Sequence, residues 1–170
     1  TGEVRVPLWG VFVTTPEVSS ASSTVKVAVR IENRGKSGQE VTARVRLLDA
    51  KGAVVASREA AQSVAAGGST QVEQELTVKA PQLWSTSTPV MYRAEVELLA
   101  GGRTVDQTAT PFGIRRVEVD AERGLRINGE PVKLKGGCLH HDNGLLGAAV
   151  IDRAEERRIE LMKANGFNAI

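Results

Sequence analysis

The stretch Thr24-Val25-Lys26-Val27-Ala28-Val29-Arg30-Ile31-Glu32-Asn33 decides the fold class. Val25, Val27, Val29 and Ile31 fall on one side of an extended chain, and Lys26, Ala28, Arg30 and Glu32 fall on the other. That period of two marks a strand with one buried and one wet face. Working outward, Val41, Ala43, Val45 and Leu47 repeat the pattern after the turn at Arg34-Gly35-Lys36-Ser37-Gly38, and Val72, Leu76 and Val78 do so less cleanly after Gly67-Gly68. Tyr92, Ala94, Val96 and Leu98 alternate with Arg93, Glu95 and Glu97 before Gly101-Gly102 turns the chain back along residues 103–110. Six or seven strands between Leu8 and Pro111, with turn residues at intervals of about 8 to 12, predict an antiparallel immunoglobulin-like β-sandwich over residues 1–112. With one cysteine, Cys138, the chain has no internal disulfide, so this core rests on aliphatic burial.

Composition narrows the function. Of 170 residues, 41% are hydrophobic and 25% charged, as in ordinary globular domains. The 22 Lys and Arg against 20 Asp and Glu leave +2, with the signs interspersed, so no nucleic-acid partner is expected. No apolar run approaches the ~18 residues of a membrane span, and no membrane association is expected. A chain beginning at Thr1 reads as excised or processed, and nothing in its residues selects among periplasmic, secreted and cytoplasmic locations.

After Phe112 the texture changes. Residues 117–120 and 125–127 flank a turn at Glu122-Arg123-Gly124, and Asn128-Gly129 is a strong hairpin signal that reverses the chain into an expected strand over residues 132–139. Asp152 and Glu155 have the spacing of a capping-box variant before a helix expected over residues 153–165, which Gly166 stops. Phe167-Asn168-Ala169-Ile170 reads as the start of another strand. Strand, loop, helix, strand is a βα unit of a parallel sheet or barrel. Cys138 inside the first of these strands is expected to be a buried, inert thiol. Gly136-Gly137 lacks the rest of a phosphate-loop signature and is read as close strand packing.

These segments carry a family resemblance. Ala80-Pro81-Gln82-Leu83-Trp84-Ser85, followed by Pro89 and Tyr92, resembles the passage that closes the central sandwich of glycoside hydrolase family 2. Phe112-Gly113-Ile114-Arg115, Asn128-Gly129-Glu130-Pro131-Val132 and residues 135–142 are similar to that family's entry into its catalytic barrel, and residues 161–170 to the barrel's first helix and second strand. The likeness covers most of residues 80–170. It implies a parent β-galactosidase or close relative, a retaining glycosidase in which residues 113–170 begin an incomplete (β/α)8 barrel.

Retaining hydrolysis of a β-linked sugar needs two carboxyl groups about 5 Å apart, and in this family both lie on later barrel strands. A barrel takes about 250 residues. No Asp or Glu here is therefore nominated as catalytic, and the chain by itself is expected to be inactive. Substrate contacts are expected at His140, His141 and Asp142, where the first barrel strand would end. His140 matches a family histidine that touches a sugar hydroxyl, a task suited to an imidazole that donates at one nitrogen and accepts at the other. His141, Asp142 and Asn143 depart from the family's His-Glu-His-His pattern, so the resemblance implies only that they line the rim.

Neither a cofactor nor a metal site is expected: neighbouring residues of extended chain point to opposite faces, and no third histidine exists to complete a shell. Trp84 and Tyr92 are expected in the core. Apolar faces beyond residue 130 that lack partners would favour association or domain swapping. The competing reading is a self-contained immunoglobulin-like carbohydrate-binding or adhesion module with residues 113–170 as an appended arm.

Overall fold

The computed structural model describes residues 2–140 and 143–170. Eight strands precede Gly113: β1 (Val4–Arg5), β2 (Val11–Val18), β3 (Ser22–Asn33), β4 (Gln39–Leu48), β5 (Val54–Val64), β6 (Ser69–Lys79), β7 (Tyr92–Ala100) and β8 (Arg103–Phe112). They form two antiparallel four-stranded sheets. In one, β3 pairs along its length with β6, from Ser22 opposite Lys79 to Glu32 opposite Ser69, while β1 and β2 share its other edge. The second runs β5-β4-β7-β8. The fold is thus a mainly β, immunoglobulin-like sandwich, in agreement with the sequence.

Alternation of residue type becomes alternation of burial. Val25, Val27, Val29 and Ile31 of β3, Ala43, Val45 and Leu47 of β4, and Ala94, Val96 and Leu98 of β7 have no accessible surface and form one hydrophobic core. Gln74 enters this core from β6 because its Nε2 donates to the carbonyl of Ala43 at 2.9 Å. The outward positions of β4 and its neighbours carry cross-strand charge pairs. The Arg44 guanidinium reaches Glu59 at 2.5 Å and Glu97 at 2.8 Å, matching its register opposite both residues. At the β7–β8 turn Gly101 and Gly102 both have positive φ, the geometry a two-residue hairpin requires.

Two strands escape the alternation. The apolar residues of β5 are small or exposed, and only Val64 is fully buried, because this strand closes one edge of its sheet. Strand β2 follows a tight turn in which Gly10 N–H donates to Pro7 O at 2.8 Å. That turn holds Trp9 at φ 61°, and Leu8 and Trp9 project almost fully into solvent.

The chain divides into two compact units, Thr1–Glu118 with Ile127–Gly129, and Val119–Arg126 with Glu130–Ile170. The chain leaves the first unit after Glu118, returns for the three residues Ile127–Gly129, and leaves again at Glu130. Strands β9 (Val117–Asp120), β10 (Gly124–Ile127) and β11 (Glu130–Pro131) form a small meander at this crossing. The remaining elements are a 3-10 turn, Gly144–Leu146, and helix α1, Asp152–Ala164.

Here the structure corrects several expectations. Residues 132–139 and 167–170 do not form two full strands; they meet in one parallel bridge, Gly136 with Ala169. A strand exists only where a neighbour accepts its hydrogen bonds, and here the side chain of Asn168 substitutes for a neighbour. Its Oδ1 accepts from Lys135 N–H at 2.8 Å and its Nδ2 donates to Lys133 O at 3.1 Å. The capping box does not form either. Ile151 occupies the N-cap without a side-chain bond, and Asp152 and Glu155 lie in the first turn, where their charge suits the helix dipole. Cys138 is exposed, not buried, as are its neighbours from Lys133 to His140. Tyr92 is in the core as expected, whereas Trp84 is only half-buried.

Candidate functional site

The candidate site lies where the segment before His140 approaches the residues that follow α1. Gly136 permits that approach: a Cβ there would fall 2.8 Å from Ala169 O and 3.1 Å from its Cβ, so only glycine lets the two segments bridge. Asn168 N–H then donates to Lys135 O at 2.9 Å. Four residues past the bridge, His140 is exposed at the end of the extended segment. His141 and Asp142, the other two expected substrate contacts, lie outside the described residues.

Asn143 has a structural task. Its Nδ2 donates to Ala149 O at 2.6 Å, closing the loop around the 3-10 turn, and its Oδ1 accepts from Arg158 of α1. Arg158 also pairs with Glu155 at 3.2 Å. The loop after His140 is thereby tied to the helix by one amide and one guanidinium. Composition gave no hint of Arg158 or Asn168 in these roles, since each acts on a partner at least 15 residues away. In the first turn of α1, Arg153 joins Glu156 at 3.2 Å and Glu160 at 2.9 Å, and bonding first to Glu160 and then to Glu156 raises its pKa.

This arrangement offers an exposed imidazole able to donate and accept, beside a braced polar loop. Among the described residues, no group of three His, Cys, Asp or Glu is placed to hold a metal ion. No described helix is long and apolar enough to cross a membrane. A groove of about 460 Å³ on the sandwich runs between residues 5–11 and 106–111. Its one carboxylate, Asp106, is occupied in accepting Val6 N–H at 2.7 Å.

A two-sheet sandwich without a disulfide, leading into a meander and a segment that bridges in parallel across a helix, defines a particular class of chain. Residues 6–115 match the family model for glycosyl hydrolases family 2, and the chain belongs to that family. It is 38% identical over all 170 residues to a β-galactosidase of Bacteroides ovatus, of which it covers 20%. It is 30% identical over 163 residues to a β-glucuronidase of Bacteroides fragilis, covering 95% of this chain and 23% of the relative. Among solved structures, a family 2 member from Bacteroides cellulosilyticus superimposes with a TM-score of 0.92 at 41% identity, over 97% of this chain and 23% of that one. The chain therefore spans about a fifth to a quarter of the length of these relatives.

Proposed function

We propose that these residues are one part of a retaining β-glycosidase that hydrolyses terminal β-galactosides. In this reading residues 1–112 are the central sandwich, residues 113–170 open a (β/α)8 barrel, and His140, His141 and Asp142 line the edge of the sugar site. The observation that carries it is the parallel bridge between Gly136 and Ala169 on either side of α1, since a parallel connection through a helix is the repeating unit of such a barrel. The continuous match to a β-galactosidase over all 170 residues supports it, because an appended arm on an adhesion module would have no reason to extend that match past residue 112.

His140 stands at the carboxyl end of the barrel-strand segment, where barrel enzymes place their sites. Its imidazole holds a sugar hydroxyl that shifts as the ring flattens toward the transition state. The nucleophile and the general acid come from elsewhere in the longer enzyme, and the 170 residues alone do not turn over substrate. In this isolated form Leu134, Ile159 and Phe167, all exposed, drive association or segment exchange between copies.

The test is hydrolysis of nitrophenyl β-galactoside and β-glucuronide by the longer chain containing this segment. His140→Ala should lower kcat/KM by roughly 10- to 150-fold, the range for losing one hydrogen bond that tightens in the transition state. Hydrolysis of neither sugar would refute the glycosidase reading. An unaltered kcat/KM would remove His140 from the site.

A further inference from the structure

We infer that Asn128 is a positioning residue that fastens the returning chain to the end of the sandwich and so fixes where the segment bearing His140 departs. Three bonds converge on it. Its backbone N–H donates to Arg116 O at 2.8 Å, its Oδ1 accepts from Arg116 N–H at 2.9 Å, and its Nδ2 donates to Trp84 O at 2.9 Å. Arg116 N–H demands an acceptor and Trp84 O demands a donor, so the site needs one side chain that offers both at short reach. Asparagine meets this need where its nearest substitutes do not: Asp at neutral pH lacks the donor, Gly lacks both, and Gln is a methylene longer. The backbone adds a second requirement, since Asn128 sits at φ 55°, a region that Asn tolerates better than most residues.

The surface it grips is itself tied to the core. Trp84 N–H donates to Ile114 O at 2.9 Å, and Ile114 is wholly buried in the sandwich core. The Arg115 guanidinium lies 4.3 Å over the Trp84 ring. A Cβ on Gly113 would sit 2.9 Å from three Trp84 atoms, so the indole is packed directly on the strand exit. Asn128 thus joins the loop before β7, the strand exit at Ile114 to Arg116, and the hairpin turn, all within the first unit. From this anchor the chain reaches His140 in twelve residues.

The role in positioning His140 rests on the proposed glycosidase reading, whereas the anchor can be tested without it. Amide exchange in the 170-residue chain should show Arg116 N–H exchanging about tenfold faster or more in Asn128→Gly, which keeps the backbone conformation but removes the acceptor. In Asn128→Asp, which keeps that acceptor, the same amide should stay within about threefold of its original rate. Equal protection of Arg116 N–H in all three proteins would overturn the anchor. In the longer enzyme, Asn128→Gly should lower kcat for the nitrophenyl sugar by roughly tenfold with little change in KM and an unshifted sandwich melting transition, as expected when a contacting group is displaced in the transition state. A longer enzyme without hydrolase activity would sink the function while leaving the exchange result standing. Unchanged kcat alongside faster exchange would show the anchor to be architectural only.

Discussion

Leu47 in β4 and Ile159 in α1 both occupy the apolar positions of their patterns, yet Leu47 has no accessible surface and Ile159 keeps 41% of its own. The contrast runs between the core of the first unit and the second unit, none of whose residues belongs to the buried hydrophobic core. In the sandwich, alternation in sequence is matched by a second sheet that covers the apolar face. Helix α1 has no buried residue at all, although Ile159, Leu161 and Met162 give it an apolar stripe. A pattern in sequence states what a face wants to bury, and only a facing layer determines whether it does so.

Substitution of these two residues should separate the units most strongly. Leu47→Ala leaves a cavity that nothing can fill and should cost about 2–5 kcal/mol of global stability. Ile159→Ala, at a half-exposed site with a better helix former, should change stability by less than about 1 kcal/mol. Urea titrations of both variants would check this, and equal losses would mean that α1 belongs to the same cooperative unit as the core.

Gly113→Ala probes the exit from the sandwich. Its new methyl would lie 2.9 Å from the Trp84 side chain, with the ring backed by Arg115, so the indole must shift. Overpacking of this kind costs roughly 1–3 kcal/mol and should alter Trp84 fluorescence. By comparison, Gly136→Ala in the second unit would meet Ala169 O at 2.8 Å and abolish the parallel bridge between them, yet should leave the sandwich transition in place.

Much of the sandwich could be read from residues because β3, β4 and β7 each have one mainly apolar, buried side and one mainly polar side. Strand β5 could not, since its apolar residues are small or, apart from Val64, exposed, and so do not alternate in burial. His140 was nominated at the end of a strand expected over residues 132–139, which does not form, and the hydrogen bonds of Asn128 were not legible, because its partner Trp84 is 44 residues away and a hydrogen bond leaves no periodicity. Cys138 was misjudged because its segment reads as a covered strand, whereas residues 133–140 are exposed.

Trp9→Asn should act in the opposite direction to the core variants. Trp9 holds φ 61° while its side chain is almost fully exposed, so its backbone strain is offset by little packing within the described chain. Asparagine relieves a left-handed conformation that costs other L-residues roughly 1–2 kcal/mol and should stabilise the sandwich by up to about 1 kcal/mol. A rise in the melting temperature would confirm it, and a fall would mean that Trp9 is held by contacts on the native surface.

The smallest effect concerns two carboxylates, one in each unit, held below their ordinary pKa by different means. Glu73 is lowered first by its hydrogen bond to the Lys26 ammonium and then by that charge, at 2.7 Å between two half-exposed side chains. Asp120 is lowered first by the backbone N–H of Arg123, with Arg126 contributing charge at 3.0 Å. A depressed carboxyl contributes stability above its unfolded pKa and loses it as pH falls through the folded value, so both contributions fade below about pH 4 to 4.5. Salt should distinguish them. An exposed ion pair is screened, whereas backbone N–H groups pointing at a carboxylate remain in place as ions are added. Carboxyl NMR titrations at low and at molar salt should show Glu73 moving back toward the ordinary range by more than Asp120. An equal movement of both would mean that Arg126, not the turn backbone, governs Asp120.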